Sequence, residues 1–459
     1  MKLPRIMISA TSSGSGKTLV TCGLLQALVN RGMKVGAFKC GPDYIDPMFH
    51  TKVIGAKSKN LDCYFTDEDT TRYLFARTAR EVDISVMEGV MGFYDGLSAA
   101  SSQASSYEIS KITNTPVILV VNCKGMSVSI IPIILGFLTY KKDSHIDGVI
   151  LNQISERLFV EIKKKIEEEL SIKVFGYVPY VKELVIESRH LGLVLPEEVW
   201  DYHRKLSELA KVLEQTLELD EILNLACNTS DLFYQSVILP RVKGKPRIAV
   251  AKDDAFCFYY EDNLQILKDM GGELIEFSPL NDNHLPEDIH GILLGGGYPE
   301  LLSKQLSENI TMRESIKAAL QDGMPCIAEC GGFMYLHRSM EDMHGHKHEM
   351  VGVIEGEVYK TNKLNRFGYI ELSSNCDQIL LKKEECIRGH EFHYFESTSL
   401  GKSMKAQKPN RSIEWDCIHG SKSMMVGFPH LYYYSNPAAP YRFLLKCQER
   451  MNSLRKTNS

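Results

Sequence analysis

The sequence predicts an α/β protein in which two parallel-sheet domains follow one another, and three observations carry that expectation. The first is Ile6–Thr18, where a short apolar run passes into small residues, then Gly14-Ser15-Gly16-Lys17-Thr18, then a helical pattern from Leu19 to Val29. The second is a series of short, near-continuous apolar runs, among them Pro116–Asn122 and Ile146–Asn152, as strands covered on both faces require. The third is a restart of the same rhythm at Arg247–Ala251, leading to Pro325–Leu336, which reads strand, Cys330, Gly331-Gly332, helix.

The order strand, Gly/Ser loop, helix is that of a phosphate cradle. Backbone N–H groups of Gly14, Ser15 and Gly16 can converge on an anion, and the helix dipole adds to them. Lys17 would reach the outer phosphates of a nucleotide, and Thr18 would set its hydroxyl on a magnesium ion. The usual spacing places Gly six residues before the Lys, where this chain has Thr11. A second strand, Lys34–Lys39, leads into Cys40–His50, whose Gly, two Pro and two Asp predict a rigid loop rather than an element. Asp43 and Tyr44 lie there, at the strand end where sites form in open α/β sheets; Asp43 is a candidate for metal or substrate. A third strand, Asp83–Glu88, ends in an acid suited to the magnesium shell, and Asp95 follows in its loop. Asn152 ends a later strand, where it would read an adenine edge or simply make a turn. Arg189 and His190 precede Gly192 and either face an anion or lie in a solvated loop. A helical stretch runs from about Glu197 to Leu225, and periodicity is then lost up to Pro246.

In the second half, Ala328–Leu336 has the layout of a nucleophile elbow, which needs small neighbours because the nucleophile sits on a tight turn. Cys330 at a helix N-terminus is expected to have its thiolate favoured. Gly296 and Gly297, in the triple-Gly loop after the strand at Gly291, are candidate oxyanion donors. The nucleophile needs a base, and His430 ends an apolar run late in the chain. His390 and His393 compete with it, as does the cluster His344, His346 and His348, whose polar setting reads better as a solvated loop than as a metal tract.

Totals narrow the classes. At 459 residues the chain exceeds one ordinary core. A net charge of −5 gives no global bias toward nucleic acid or an anionic membrane. No run reaches the roughly 18 apolar residues of a membrane span. The twelve cysteines are scattered, and no secretory leader precedes the first strand. A reducing cytoplasm with free thiols is the expected compartment.

A phosphate loop and a Cys elbow in one chain suggest ATP-driven activation coupled to ammonia release from glutamine. The chain resembles the cobyrinic acid a,c-diamide synthase family, which includes hydrogenobyrinic acid and nickel-sirohydrochlorin a,c-diamide synthases. The stretches carrying the resemblance are Thr11–Thr18, Phe38–His50, Glu88–Gly96, Arg189–Leu193, Asp254–Asn263, Phe277–Leu280, Gly295–Glu300, Ala328–Leu336 and Arg388–Tyr394. It implies a P-loop NTPase-type, dethiobiotin synthetase-like N-terminal domain and a flavodoxin-like, class I glutamine amidotransferase C-terminal domain. Loops of the dethiobiotin synthetase kind have one extra residue before Gly-Lys-Thr, although Ala10 still replaces the expected Gly. The expected division is residues 1–200, a helix and linker at 201–245, residues 246–448, and a polar tail at 449–459 that frays from Met451 onward. Implied chemistry is ligation: Cys330 and His430 release ammonia, while Mg²⁺ and ATP, held by Lys17, Thr18 and Glu88, phosphorylate acetate carboxylates of a tetrapyrrole. Metal-free corrinoid and nickel sirohydrochlorin remain alternative substrates, and cobyric acid synthase is the nearest other enzyme. A scaffold ATPase with a dead amidotransferase domain is the alternative of another class. A homodimer is a candidate assembly. Class I amidotransferases often place a Glu two residues after the His to orient it; here that position is Tyr432.

Overall fold

The computed structural model describes residues 1–180, 196–364 and 366–457. Ser188–Leu193, with Arg189 and His190, lies outside the described residues. The chain divides into two compact units, Met1–Val237 and Ile238–Ser459.

The first unit is built on seven parallel strands: β1 (Arg5–Ala10), β2 (Val35–Cys40), β3 (Lys57–Leu61), β4 (Ile84–Glu88), β5 (Val117–Asn122), β6 (Ile146–Asn152) and β7 (Lys173–Val178). Their spatial order is β3-β2-β4-β1-β5-β6-β7. The helices are α1 (Lys17–Asn30), α2 (Ile45–Phe49), α3 (Glu68–Ala79), α4 (Ser106–Ile112), α5 (Ile130–Tyr140), α6 (Glu156–Leu170), α7 (Pro196–Thr216) and α8 (Leu219–Cys227). Period-two alternation sorts β1 between two cores. Ile6, Ile8 and Ala10 pack with Leu24 and Leu28 of α1 and with Leu206, Leu209 and Leu213 of α7. Met7 faces the other way, with Phe38, Phe75, Ile109 and Ile162.

Two expectations change here. Cys40–His50 is not all loop, because Ile45–Phe49 is helical; the Asp43 carboxylate accepts from the N–H groups of Ile45 at 2.8 Å and Asp46 at 3.3 Å, serving two donors that a helix start leaves unpaired. The helices assigned to a linker at 201–245 belong to the first core. A Cβ on Gly23 of α1 would lie 2.5 Å from Leu213 Cδ1, so the two helices touch through a glycine. The first unit is also tied at its end. Arg5 is fully buried and donates to Thr113 O, Leu3 O, Thr229 Oγ1, Asn114 O and Ser230 O at 2.9–3.2 Å. Burial lowers its pKa to about 10.

In the second unit, β8 (Arg247–Ala251), β9 (Glu273–Phe277), β10 (Gly291–Leu294) and β11 (Cys326–Glu329) form a parallel sheet with Met424–Gly427, in the order Met424–Gly427, β11, β10, β8, β9. A short antiparallel strand, His419–Gly420, closes the far edge. The helices α9 (Glu261–Asp269), α10 (Ser303–Glu308), α11 (Ile310–Gln321) and α12 (Gly331–Tyr335) connect them. Arg366–Ser374, Cys386–His393 and His430–Leu431 belong to a smaller antiparallel sheet, whose pairing sets His430 opposite His390. As far as Thr457 the tail is helical: a helix spans Ala438–Thr457, Met451 is 3% exposed, and Arg450 Nη2 bonds Asp322 Oδ2 at 2.6 Å.

None of the twelve cysteines forms a disulfide. Among the described residues no helix is long and apolar enough to cross a membrane.

Candidate active sites

The loop between β1 and α1 turns through two left-handed glycines, Gly14 (φ 75°) and Gly16 (φ 89°). A side chain at Gly16 would be strained there, and its Cβ would lie 2.0 Å from Asn152 Nδ2. Asn152 is buried, and its Nδ2 donates to Ser15 O at 2.8 Å, so it braces the loop from the end of β6. Ser15 is buried as well, with Ser12 Oγ 3.0 Å away. Lys17 opens α1, and burial followed by the neighbouring Lys39 ammonium lowers its pKa.

Glu88, at the end of β4, is fully buried. Its Oε1 accepts from Thr18 Oγ1 at 2.7 Å and from Lys39 Nζ at 2.8 Å. Oε2 has no hydrogen-bond partner; His50 Nε2 approaches it at 3.6 Å. Lys39 also pairs with Asp46 and stands 4.0 Å from Asp43 Oδ2. Burial opposes its charge, yet the Glu88, Asp46 and Asp43 carboxylates hold Lys39 well above the usual ammonium range. Asp43 is pushed up to about 6 by the surrounding protein and by Asp46. Asp46 itself stays low: burial would raise it, but the Lys39 ammonium outweighs burial. Lys39 and His50 did not stand out in the sequence as site residues, whereas Asp46 was read with Asp43 as a carboxylate able to hold magnesium or substrate. The signal for Lys39 is the register of β2 against β4, which sets it beside Glu88.

Tyr44, mostly buried, precedes α2. Asp95 Oδ2 accepts from Gly92 N at 2.8 Å and so closes the turn after β4. A Cβ on Gly92 would meet that carboxylate at 2.6 Å and Thr11 O at 3.0 Å, which places the turn against the phosphate loop.

In the second unit Cys330 follows β11 with φ 47° and ψ −106°, a strained backbone for a residue with a side chain. Its N–H bonds Gly427 O at 2.8 Å, and Gly332 N bonds Gly295 O at 2.9 Å. The tight fit explains the glycines: a Cβ on Gly332 would lie 2.3 Å from Leu294 O, and one on Gly297 would lie 2.1 Å from Ala255 O. A Cβ on Gly331 would come 3.1 Å from Gly297 N, so the Gly297 N–H lies beside the turn at Cys330. The adjacent Gly331 N–H favours the Cys330 thiolate, and the sequence did not single it out as a donor. The expectation of a favoured thiolate is overturned. Burial, then the Glu300, Glu391 and Glu329 carboxylates, push the Cys330 thiol far above its ordinary range, against that single N–H.

His430 lies three residues after Gly427, whose carbonyl takes the Cys330 N–H. A Cβ on Gly296 would be 2.5 Å from His430 Cε1, so the ring rests on the triple-Gly loop. Burial, then His393, lowers its pKa to about 3, leaving a neutral imidazole. The competitors are held elsewhere. His390 Nδ1 is 3.0 Å from Tyr260 OH, and its ring stacks on His430 at 4.9 Å. His393 stacks on Phe428 and bonds Phe395 O at 2.6 Å. His346 Nδ1 and His348 Nε2 both approach Asp342 Oδ2, at 3.1 and 3.2 Å, in the turn that joins two strands.

Comparison with known proteins fits this division. Residues 6–193 match the sequence-family model described as the CobQ/CobB/MinD/ParA nucleotide binding domain. Residues 247–431 match the CobB/CobQ-like glutamine amidotransferase domain. A cobyrinate a,c-diamide synthase of Caldanaerobacter subterraneus subsp. tengcongensis is 41% identical over 444 residues, 96% of this chain and 98% of its own. Proteins of the same name from Priestia megaterium (37% identical, covering 97% of each chain) and Listeria innocua (41% identical, covering 95% of this chain and 97% of its own) match alike. With both units matched in order, and relatives aligned from end to end, the chain belongs to the cobyrinate a,c-diamide synthase family.

Proposed function

We propose that the chain is an ATP- and glutamine-dependent ligase that converts the a and c acetate carboxylates of cobyrinic acid to amides. The observation that carries this reading is the presence of both half-sites in a chain matched over its length by synthases of that name.

In the second unit, Cys330 Sγ attacks the side-chain amide carbon of glutamine. His430 takes the thiol proton and gives it to the departing nitrogen, so ammonia leaves and a glutamyl thioester remains for hydrolysis. The N–H groups of Gly297 and Gly331 hold the carbonyl oxygen as it gains charge, with Gly296 as a further donor. Burial keeps the thiol protonated and the imidazole neutral at rest, so the attack starts from the neutral pair.

In the first unit, the N–H groups of Gly14–Thr18 and the Lys17 ammonium hold the outer phosphates of ATP, and Asn152 keeps the loop in shape. A carboxylate is a poor electrophile, so the acetate takes the γ-phosphoryl group first. Ammonia then displaces phosphate from the acyl phosphate. Thr18 Oγ1, Asp43 and Glu88, whose buried Oε2 has no hydrogen-bond partner, are the oxygen donors that would hold Mg²⁺. When bound, the ion neutralises charge between the phosphate oxygens. Tyr44 and Asp95 line the substrate side. Cysteines without disulfides agree with work in a reducing cytoplasm.

The test is direct assay with ATP and glutamine. Cobyrinic acid, its metal-free analogue and nickel sirohydrochlorin are compared by mass spectrometry. The expected result is two successive carboxyl-to-amide mass changes on cobyrinic acid, each with release of ADP. Preferential turnover of another macrocycle reassigns the substrate. No amide on any of them, together with no glutamate release, overturns the reading.

A further inference from the structure

We propose that Glu329, the residue immediately before the nucleophile, is the carboxylate that orients His430. The inference rests on the reading of Cys330 and His430 as the glutamine-hydrolysing pair.

The geometry comes from strand register. β11 pairs with Met424–Gly427 so that Glu329 lies opposite Gly427. The chain then turns through Phe428 and Pro429, which returns His430 to the end of β11. Glu329 Oε1 accepts from Leu431 N at 3.3 Å, and Oε2 lies 3.8 Å from His430 Nδ1. Both side chains are buried, at 7% and 2% exposure. One carboxylate therefore grips the histidine's strand through the backbone and faces its ring.

Other acids near the ring are committed elsewhere. Tyr432, at the position where related amidotransferases often carry the orienting Glu, turns its hydroxyl to Asp262 at 3.3 Å. Glu391 faces His393 at 3.4 Å, Trp415 Nε1 at 3.3 Å and Arg366 at 3.9 Å. A proton on Nδ1 directed at Glu329 leaves the Nε2 lone pair to take the Cys330 proton. The imidazolium formed then sits beside a carboxylate until it returns that proton to the leaving nitrogen.

The titratable groups around Glu329 are His430, Cys330, Tyr259 and Tyr433. None is positively charged at rest, and burial raises Glu329 to about 8. Below that pH a protonated Glu329 donates to Nδ1 and selects the unproductive tautomer. Glutamine hydrolysis therefore rises with pH as Glu329 ionises.

The experiment measures glutamate release against pH in the full chain for the wild type, Glu329→Gln, Glu329→Asp and Cys330→Ser. Circular dichroism and the urea unfolding curve of the full chain report that each variant is folded. Gln keeps an oxygen for Leu431 N and removes only the charge. The expected result for Glu329→Gln is a kcat lower by roughly 10²–10⁴-fold with KM little changed, and loss of the alkaline rise. Asp, a shorter carboxylate, restores the rise and part of the rate. Wild-type hydrolysis by Glu329→Gln, an unchanged pH profile in it, or an Asp variant no better than Gln overturns the proposal. Persistent hydrolysis by Cys330→Ser overturns instead the reading of the site on which it rests.

Discussion

Lys39 Nζ lies 2.8 Å from Glu88 Oε1 across two adjacent parallel strands, with both side chains buried. The same oxygen takes the Thr18 hydroxyl, so the phosphate loop, β2 and β4 meet at one atom. Lys39 to Met removes the cation and leaves Glu88 buried without it. The expected cost is roughly 3–5 kcal/mol of first-unit stability, read from urea unfolding, with part recovered on adding Glu88→Met. ATP-dependent amidation should fall by roughly 10³-fold while glutamine hydrolysis persists. Equal loss of both activities would speak against separate sites.

Lys17→Ala tests the loop in the same way. It removes the charge proposed to meet the outer phosphates, so amidation should stop with ammonia or glutamine as the nitrogen source. Glutamate release should continue. Amidation at the wild-type rate would rule out the assigned role.

Cys330→Ser should abolish glutamine-driven amidation and leave amidation driven by ammonium salts. The hydroxyl is a far weaker nucleophile in a neutral pair with an imidazole held near pKa 3. The check compares both nitrogen sources on one enzyme preparation. Loss with ammonium as well would mean that the substitution damages more than the nucleophile.

Gly296→Ala places a methyl group 2.5 Å from His430 Cε1 and 3.3 Å from Phe258 Cβ. The imidazole must then tilt. A displacement of this size is expected to cost roughly 10²-fold in glutamine hydrolysis, with little change in the unfolding midpoint. Undiminished hydrolysis would show that the ring has room to move.

His337 gives a pH dependence of stability. It is fully buried, with Nδ1 2.8 Å from Phe333 O and Nε2 2.6 Å from Ser397 Oγ, and burial lowers its pKa to about 4. The unfolded chain, with an ordinary value of 6.5, binds the proton more readily. The contribution is therefore fully present above pH 6.5 and is lost as pH falls toward 4, amounting to roughly 3 kcal/mol. Urea unfolding at pH 7 and pH 5 should show the decline, and His337→Gln should be less stable at pH 7 but flatter between the two. Parallel curves would remove His337 from the account.

The sheet strands were readable because their apolar runs are short, dense and bounded by turn residues. Arg247–Ala251 and Glu273–Phe277 are found where the pattern puts them. Lys39 was not, since a lone lysine in an apolar run reads as a solvated strand end, and its carboxylate partner lies 49 residues away. Glu329 was hidden beside the nucleophile for the same reason: its partner arrives with a strand a hundred residues later. The expected thiolate at Cys330 failed because burial and three carboxylates outweigh one N–H on a five-residue helix. The last helix was missed because polar residues flank Phe443, Leu444, Cys447 and Met451, whose spacing is helical.

The five hydrogen bonds of Arg5 set the limit for taking this protein apart. A fragment ending at residue 193, where the nucleotide-binding match stops, would strip Arg5 of Thr229 and Ser230 and leave a guanidinium walled in without those acceptors. It would also bare the α1 face that Leu206, Leu209 and Leu213 cover. The piece fit for independent expression and for soaking with nucleotide extends to Val237, more than forty residues past that match.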